Sequence, residues 1–517
     1  MRPSSDTKRK ASEKTPLLPA ANEVLADVDA YLKALALQLT EEEQKAVQLD
    51  THAPAMDIVK DEVKRTMTLF VPLILTIVME QLPDNITMMM IGHSDPEHST
   101  EILAAMGLAG LFQMLFVSGV TNGLGAALDT VCSQAFGGKR YVEMWLAAQA
   151  GVIMSAIIVP ILAVIFLNGA VILRALGQDP SIAETAWMFL FLITLSLPLN
   201  LIFVVQKCVL HAQNITVPLA VASALSYVVS LPAAYALGFW TPLGYFGIAA
   251  SAIINCLVKV LVLIPVIMRN PVYRDSWPGW KPREAAKMLS KISRLGFSSM
   301  LMVTFQLLGF PMVSTLVGYL PNPAVAITAN SIFIQVVVFS IAPMTAFCIA
   351  GTIRMGNALG AGQSRRAALT SRVIVALCAA TALVGMIVVL VAANPLTRAF
   401  TTDPDAVEVT TGLLHHVGIV IPLLGITYGI QSIFRACGEQ WLCAKLNFVF
   451  VLALGGPLGM LFATQLNGGI TGLWVGNCLS ALGFILGAGV WLYRISWDEM
   501  AHNARINTHL ADPATKA

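Results

Sequence analysis

Three carboxylates fall inside long apolar runs of this sequence: Glu80, Asp84 and Asp129. A charged side chain at the centre of a membrane helix costs about 2.5–3.5 kcal/mol on insertion scales, so such an acid is a functional candidate by default. Its chemistry would be exchange. Burial disfavours the ionised form, and a carboxylate whose exposure alternates between two sides of a membrane can trade its charge for a proton or a cation. Glu80 and Asp84 stand four residues apart, on one face of a helix. Like charges that close disfavour double ionisation, so one of the pair is expected to hold a proton near neutral pH. Each acid also has a plainer reading. Pro83 kinks the run and Gly92-His93 ends it soon after, which would leave Asp84 solvated near the outer end, while Asp129 could be a scaffold acid bonded to neighbouring helices.

The elements that must carry these acids are membrane spans. Of 517 residues, 56% are hydrophobic and 12% charged, with a mean hydropathy of +0.73. An ordinary soluble domain is roughly 45–50% apolar. Apolar blocks near the roughly 20 residues needed to cross a hydrocarbon core of about 30 Å follow one another at 67–91, 102–135, 142–168, 182–210, 216–238, 245–268, 292–318, 324–357, 367–392, 406–434, 442–465 and 470–493. The fold class expected is an all-α integral membrane protein with twelve transmembrane helices. A net charge of only +2, with no basic tract interleaved with aromatics, gives no reason to expect nucleic acid as a partner. Eight cysteines scattered through apolar segments without CxxC spacing read as small hydrophobes, so no metal and no cofactor is expected.

Lys and Arg concentrate in the even-numbered connections: Lys139 and Arg140, Lys207, the run from Arg269 to Lys291, Arg365 and Arg366, and Arg435 with Lys445. Arg174 and Arg398 are the exceptions. The positive-inside rule then puts both termini in the cytoplasm. Residues 1–65 form a polar, largely disordered tail without a cleavable signal, 66–268 a first six-helix bundle, 269–291 a basic linker, 292–495 a second bundle and 496–517 a C-terminal tail. Within the first tail, Glu13 stands four residues ahead of Leu17-Leu18, an acidic dileucine sorting pattern.

The two bundles read as copies. Ala135-Phe136-Gly137-Gly138 matches Ala358-Leu359-Gly360-Ala361, Asp179-Pro180 matches Asp403-Pro404, and Asn255-Cys256-Leu257 matches Asn477-Cys478-Leu479, at offsets of 223, 224 and 222 residues. Six helices per repeat make the repeats parallel, related by a pseudo-two-fold along the membrane normal. The glycines of the first pair are expected to serve helix C-termini and close packing. They are not phosphate loops, since neither follows a strand nor ends in Lys-Ser/Thr, which counts against an ATP-driven pump.

At this point the motifs carry a resemblance. The run from Gly123 to Gly137, with Asp129 and Gln134 inside it, resembles the second-helix signature of the multidrug and toxic compound extrusion (MATE) family. The stretch Arg354-Met355-Gly356-Asn357-Ala358-Leu359-Gly360 resembles its eighth-helix motif, and Phe434-Arg435-Ala436-Cys437-Gly438-Glu439-Gln440, with Asn447 and Gly456-Pro457 beyond, its tenth-to-eleventh-helix motif. The resemblance spans roughly 60–495 and implies a cation-coupled exporter of small molecules working by alternating access, with a proton the usual counter-ion in eukaryotic members.

Departures from the family pattern shift the expectation. Gln306, Gln335 and Leu424 stand where animal and plant members carry acids in the second half. Coupling would then rest on Glu80 and Asp84, or the protein would be a facilitator. A second-half cavity of Gln306, Asn330, Gln335, Tyr428 and Gln431 offers neutral hydrogen bonding among apolar walls, fit for a neutral or anionic amphiphile, with helix-to-helix glue the rival reading of each amide. A lipid or lipid-linked flippase of the wider superfamily is the alternative, though it would want more basic residues in its cleft. An enzyme is not expected, since no HExxH or nucleophile–base pattern lies within the spans. The expected setting is a monomer in the bilayer of the vacuolar or plasma membrane.

Overall fold

The computed structural model describes residues 48, 50, 52–94, 98–320, 322–401 and 403–509; the side chains of 83–85 and 506–509 are outside the description. The dileucine pattern at 13–18 therefore lies outside the described residues, as does the side chain of Asp84.

Among the described residues, twelve helices are long and apolar enough to cross a membrane. They are α1 (Ala55–Ser94), α2 (Ser99–Gly137), α3 (Tyr141–Leu167), α4 (Pro180–Ala212), α5 (Val217–Phe239), α6 (Tyr245–Arg269), α7 (Leu289–Val317), α8 (Pro323–Gly360), α9 (Ser364–Val391), α10 (Val420–Cys437), α11 (Gln440–Gln465) and α12 (Gly469–Arg494). A lipid core offers backbone amides no partner, so each segment satisfies its own as helix. Ile161, Val228, Val388 and Leu486 point outward, as side chains facing lipid must. The first helix starts at Ala55, ahead of its apolar block, and residues Trp497–His509 form a further helix after α12.

The repeat is visible in the way helices start. After α3 and α9 come short helices, Gly169–Ala175 and Ala393–Phe400, each followed by an Asp-Pro pair. Asp179 accepts from the Ser181 amide at 2.8 Å, and Asp403 from the Asp405 amide at 3.2 Å. Each Asp caps a helix whose first position is Pro, which has no N–H to leave orphaned. The cap at Asp403 opens a separate helix, Pro404–Val417, which turns at Gly418 before α10; the single apolar block at 406–434 is thus two helices.

Between the lobes the pairing is reciprocal. α1 packs on α8 and α7 packs on α2. At the end where the basic connections lie, α2 and α8 cross at backbone distance: a Cβ on Gly137 would stand 2.0 Å from the Asn357 carbonyl oxygen, and one on Gly360 would stand 1.9 Å from that of Gln134. Gln134 and Asn357 are themselves counterparts at the 223-residue offset, so the crossing lies on the pseudo-two-fold. These glycines serve the approach of one lobe to the other. Helix termination falls to their neighbours: Gly138 is the C-cap of α2, and Lys139 (φ 56°) and Gly362 (φ 75°) take the left-handed residue after each helix, Gly362 in the helix-end role expected of glycine.

Candidate transport site

An open cavity of about 800 Å³ is lined mainly by the first lobe, with Ile349 of α8 and Arg435 of α10 contributed by the second. It runs from Met106, Gly110 and Gln113 on the half of α2 away from the basic connections down to Asp129. Contact between the lobes at Gly137 and Gly360 closes the bundle beyond that depth. The second lobe holds a pocket of only about 40 Å³, room for a few waters and nothing drug-sized.

Charge concentrates in the large cavity. Glu80 of α1 meets Lys207 of α4, Oε2 to Nζ 3.5 Å. Asp129 of α2 meets His211, Oδ1 to Nδ1 3.3 Å, with His211 almost wholly buried. Lys207 and His211 are one helical turn apart and share a face of α4, so one helix presents a base to each of two acids. Neither pair is saturated: Glu80 Oε1 and His211 Nε2 are buried with no hydrogen-bond partner among the described residues. Lys259 of α6 and Arg435 of α10 also line the cavity.

Lys207 was expected in a connection, as one of the charges fixing orientation. It lies inside α4 and faces the cavity, so it contributes nothing to the loop-charge asymmetry. The basic lining that the cleft was expected to lack is present, in Lys207, Lys259 and Arg435. Sequence reasoning passed over His211 and Lys259, although a lysine in the middle of an apolar block carries the same signal as an acid there.

The amides expected to form a second-half cavity separate. Gln306 and Tyr428 line the small pocket. Asn330 uses both ends of its amide, donating to Ser314 Oγ at 3.0 Å and accepting from Trp474 Nε1 at 3.0 Å, and so ties α8 to α7 and α12. Gln431 is fully buried with both amide atoms unpartnered among the described residues, and Gln335 lines neither cavity.

Motif residues of α2 and α8 form an interlobe latch, while Asn447 braces the second lobe internally. Gln134 donates to the Ala436 carbonyl at 2.9 Å and Thr130 Oγ1 to the Arg435 carbonyl at 2.7 Å. Both carbonyls belong to the last turn of α10, which Gly438 ends in a left-handed conformation (φ 82°), and the Arg435 carbonyl also accepts from the Gly438 amide. Asn447 donates to the Met302 carbonyl at 2.8 Å, fixing α11 on α7. Arg354 pairs with Glu62, Nη2 to Oε1 2.6 Å, and Arg366 reaches Glu62, Asp61 and Asp50 at 2.7–2.8 Å. Glu62 is fully buried at the start of α1, so that start is bound to α8 and α9 of the other lobe.

Two like lobes of six spans around a polar cavity define a membrane transporter, and comparison with known proteins gives the kind. The MatE family model matches twice, at residues 72–236 and 298–461, once in each lobe; the chain belongs to that family. It is 28% identical over 449 residues to Protein DETOXIFICATION 17 of Arabidopsis thaliana, covering 86% of this chain and 93% of that protein. It is also 26% identical to Multidrug and toxin extrusion protein 1 of Oryctolagus cuniculus, covering 87% of this chain and 78% of that protein. Its fold matches the crystal structure of the eukaryotic MATE transporter AtDTX14 with a TM-score of 0.79 at 21% identity, over 87% of this chain and all (100%) of that one.

Proposed function

We propose that this protein exports drug-like or metabolite amphiphiles in exchange for a cation, a proton, by alternating access, with Glu80 and Asp129 as the exchanging groups. The observation that carries the reading is the double pairing across α4: each acid lines the cavity and is held by a base on the same helix face. Protonating Glu80 removes the attraction that ties α1 to α4, and protonating Asp129 does the same for α2. A proton taken up from the open side therefore loosens the helices that must move for the cavity to change sides. Asp84 stands as a third exchanging group on α1.

The reading puts both termini in the cytoplasm, supported by the basic connections, and prefers the vacuolar membrane to the plasma membrane on the Glu13–Leu18 pattern. A single chain suffices for the cycle, since both lobes and the cavity lie within it.

The test is dye uptake into proteoliposomes under an imposed pH gradient, with sodium gradients in parallel, for wild type, Glu80→Gln, Asp84→Asn and Asp129→Asn. Uptake that follows the pH gradient and is lost in Glu80→Gln or Asp129→Asn supports the assignment. Gradient-driven uptake untouched in both moves the coupling site elsewhere, and uptake indifferent to every gradient makes the protein a facilitator. The flippase reading is favoured by one observation, the three basic residues of the cavity.

A further inference from the structure

The acids of the cavity do not account for its cations. Lys259 lies in α6, 92% shielded from solvent at 8% exposure, and its ammonium has neither a hydrogen bond nor an acid partner among the described residues. Its one recorded contact is with an aromatic ring: Nζ stands 5.4 Å from the centroid of Phe203. Lys207 Nζ stands 5.3 Å from the same centroid. Phe203 is thus shared between two ammonium groups, only one of which has a carboxylate. A ring face offers a cation roughly 0.5–2 kcal/mol, less than a paired carboxylate would, and the ammonium otherwise faces the open cavity. Lys259 is not snorkelling to an interface either, since that would expose it.

The remaining charge in the cavity leaves the same excess. Among the described side chains, Lys207, Lys259 and Arg435 carry three permanent positive charges against the two acids Glu80 and Asp129, and the Arg435 Nε is also buried without a hydrogen-bond partner there. His211 already faces Asp129. Around these groups stand Phe189, Leu197, Phe203 and Val204, an apolar wall suited to a hydrophobic body.

We infer that Lys259, with Phe203, is the head-group site for an amphiphilic organic anion: a carboxylate or sulfonate pairs with the unpartnered ammonium while the substrate's apolar body lies along the aromatic and aliphatic wall. The inference rests on the exporter reading for its transport aspect only; binding at Lys259 stands without it. Specificity follows from charge: an organic cation entering this cavity meets an excess of its own sign, which works against it.

The experiment uses the full-length purified protein and two dyes, the anionic sulforhodamine B and the aromatic cation ethidium, with binding followed by fluorescence polarisation. Wild type should bind sulforhodamine B more tightly than ethidium. Lys259→Gln should weaken sulforhodamine B by roughly tenfold or more and leave ethidium equal or tighter, and Lys259→Arg should retain most of the affinity. The inference is overturned if wild type prefers ethidium, a comparison that needs no variant to fold, or if a monodisperse Lys259→Gln binds sulforhodamine B as wild type does. Loss of gradient-driven transport with Lys259-dependent binding intact would count against the antiport reading alone. A parallel arm with fluorescent phosphatidylglycerol in liposomes separates sources: Lys259-dependent movement of the lipid without any binding of the dye would overturn the soluble substrate in favour of the flippase.

Discussion

The side-chain amide of Gln134 donates to the backbone carbonyl of Ala436 at 2.9 Å, so a residue of the first lobe completes the last turn of a helix in the second. Gln134→Ala leaves that carbonyl buried and unpaired, a cost of about 1–3 kcal/mol. Because the bond exists only while the lobes touch at this end, the cost falls on the closed state and shifts the equilibrium toward the open one. Spin labels on the two lobes near residues 140 and 363 should report, by pulsed electron resonance, a larger share of long distances than in wild type; an unchanged distribution would refute the latch.

Gly360 gives the steric version of the same prediction. A methyl group there would stand 1.9 Å from the Gln134 carbonyl oxygen, a backbone atom that cannot rotate away. Gly360→Ala should hold the two helices apart, reduce gradient-driven uptake by roughly tenfold or more, and leave expression and helix content close to wild type. Gly489, with open space where its Cβ would be, is the control: Gly489→Ala should behave as wild type.

Removing Arg354 takes away one of the two arginines that hold a buried carboxylate. Glu62 is fully buried and would retain only Arg366, so Arg354→Gln should destabilise the protein by about 3 kcal/mol, the low end for breaking a buried pair. The double variant Glu62→Gln/Arg354→Gln should recover part of that loss. Thermal unfolding in detergent checks both. A double variant less stable than Arg354→Gln would mean that Glu62 contributes through contacts other than its charge.

The pair Glu80–Lys207 should behave as a unit. Glu80→Gln and Lys207→Met should each abolish pH-gradient-driven uptake, while the double variant should regain stability, having no stranded charge, without regaining coupling. A double-mutant cycle on unfolding temperature and uptake together separates the two effects. Additive stabilities would show that the pair at 3.5 Å carries no energy.

Much of this architecture is legible in the residues themselves. The apolar blocks give twelve spans, and the offsets of Asp179-Pro180 and Asp403-Pro404 give the duplication because a cap needs its aspartate and proline at fixed positions. Legibility fails where the answer depends on which helix faces which. Glu62 lies in a polar stretch before the first apolar block, and only the partner helix, bearing Arg354, makes it a buried residue. Lys207 sits close to the end of α4, where a count of loop charges claims it; its direction, into the cavity, is set by how α4 packs. The second-half amides were grouped from departures at family positions, and only packing shows that Asn330 is spent on Ser314 and Trp474 while Gln306 and Tyr428 line a small pocket.

The difference in size between the two cavities, about 800 Å³ lined mainly by one lobe and 40 Å³ in the other, has an evolutionary reading. Two copies of one six-helix unit would start with equivalent chambers, and here the large hollow lies on the side of the first. Different selection on the two halves is the expected consequence. Substitutions lining the first chamber will be sorted by which molecules are carried, and those in the second by whether the protein folds, so a saturation scan would show one sequence with two distinct patterns of tolerance on either side of the linker.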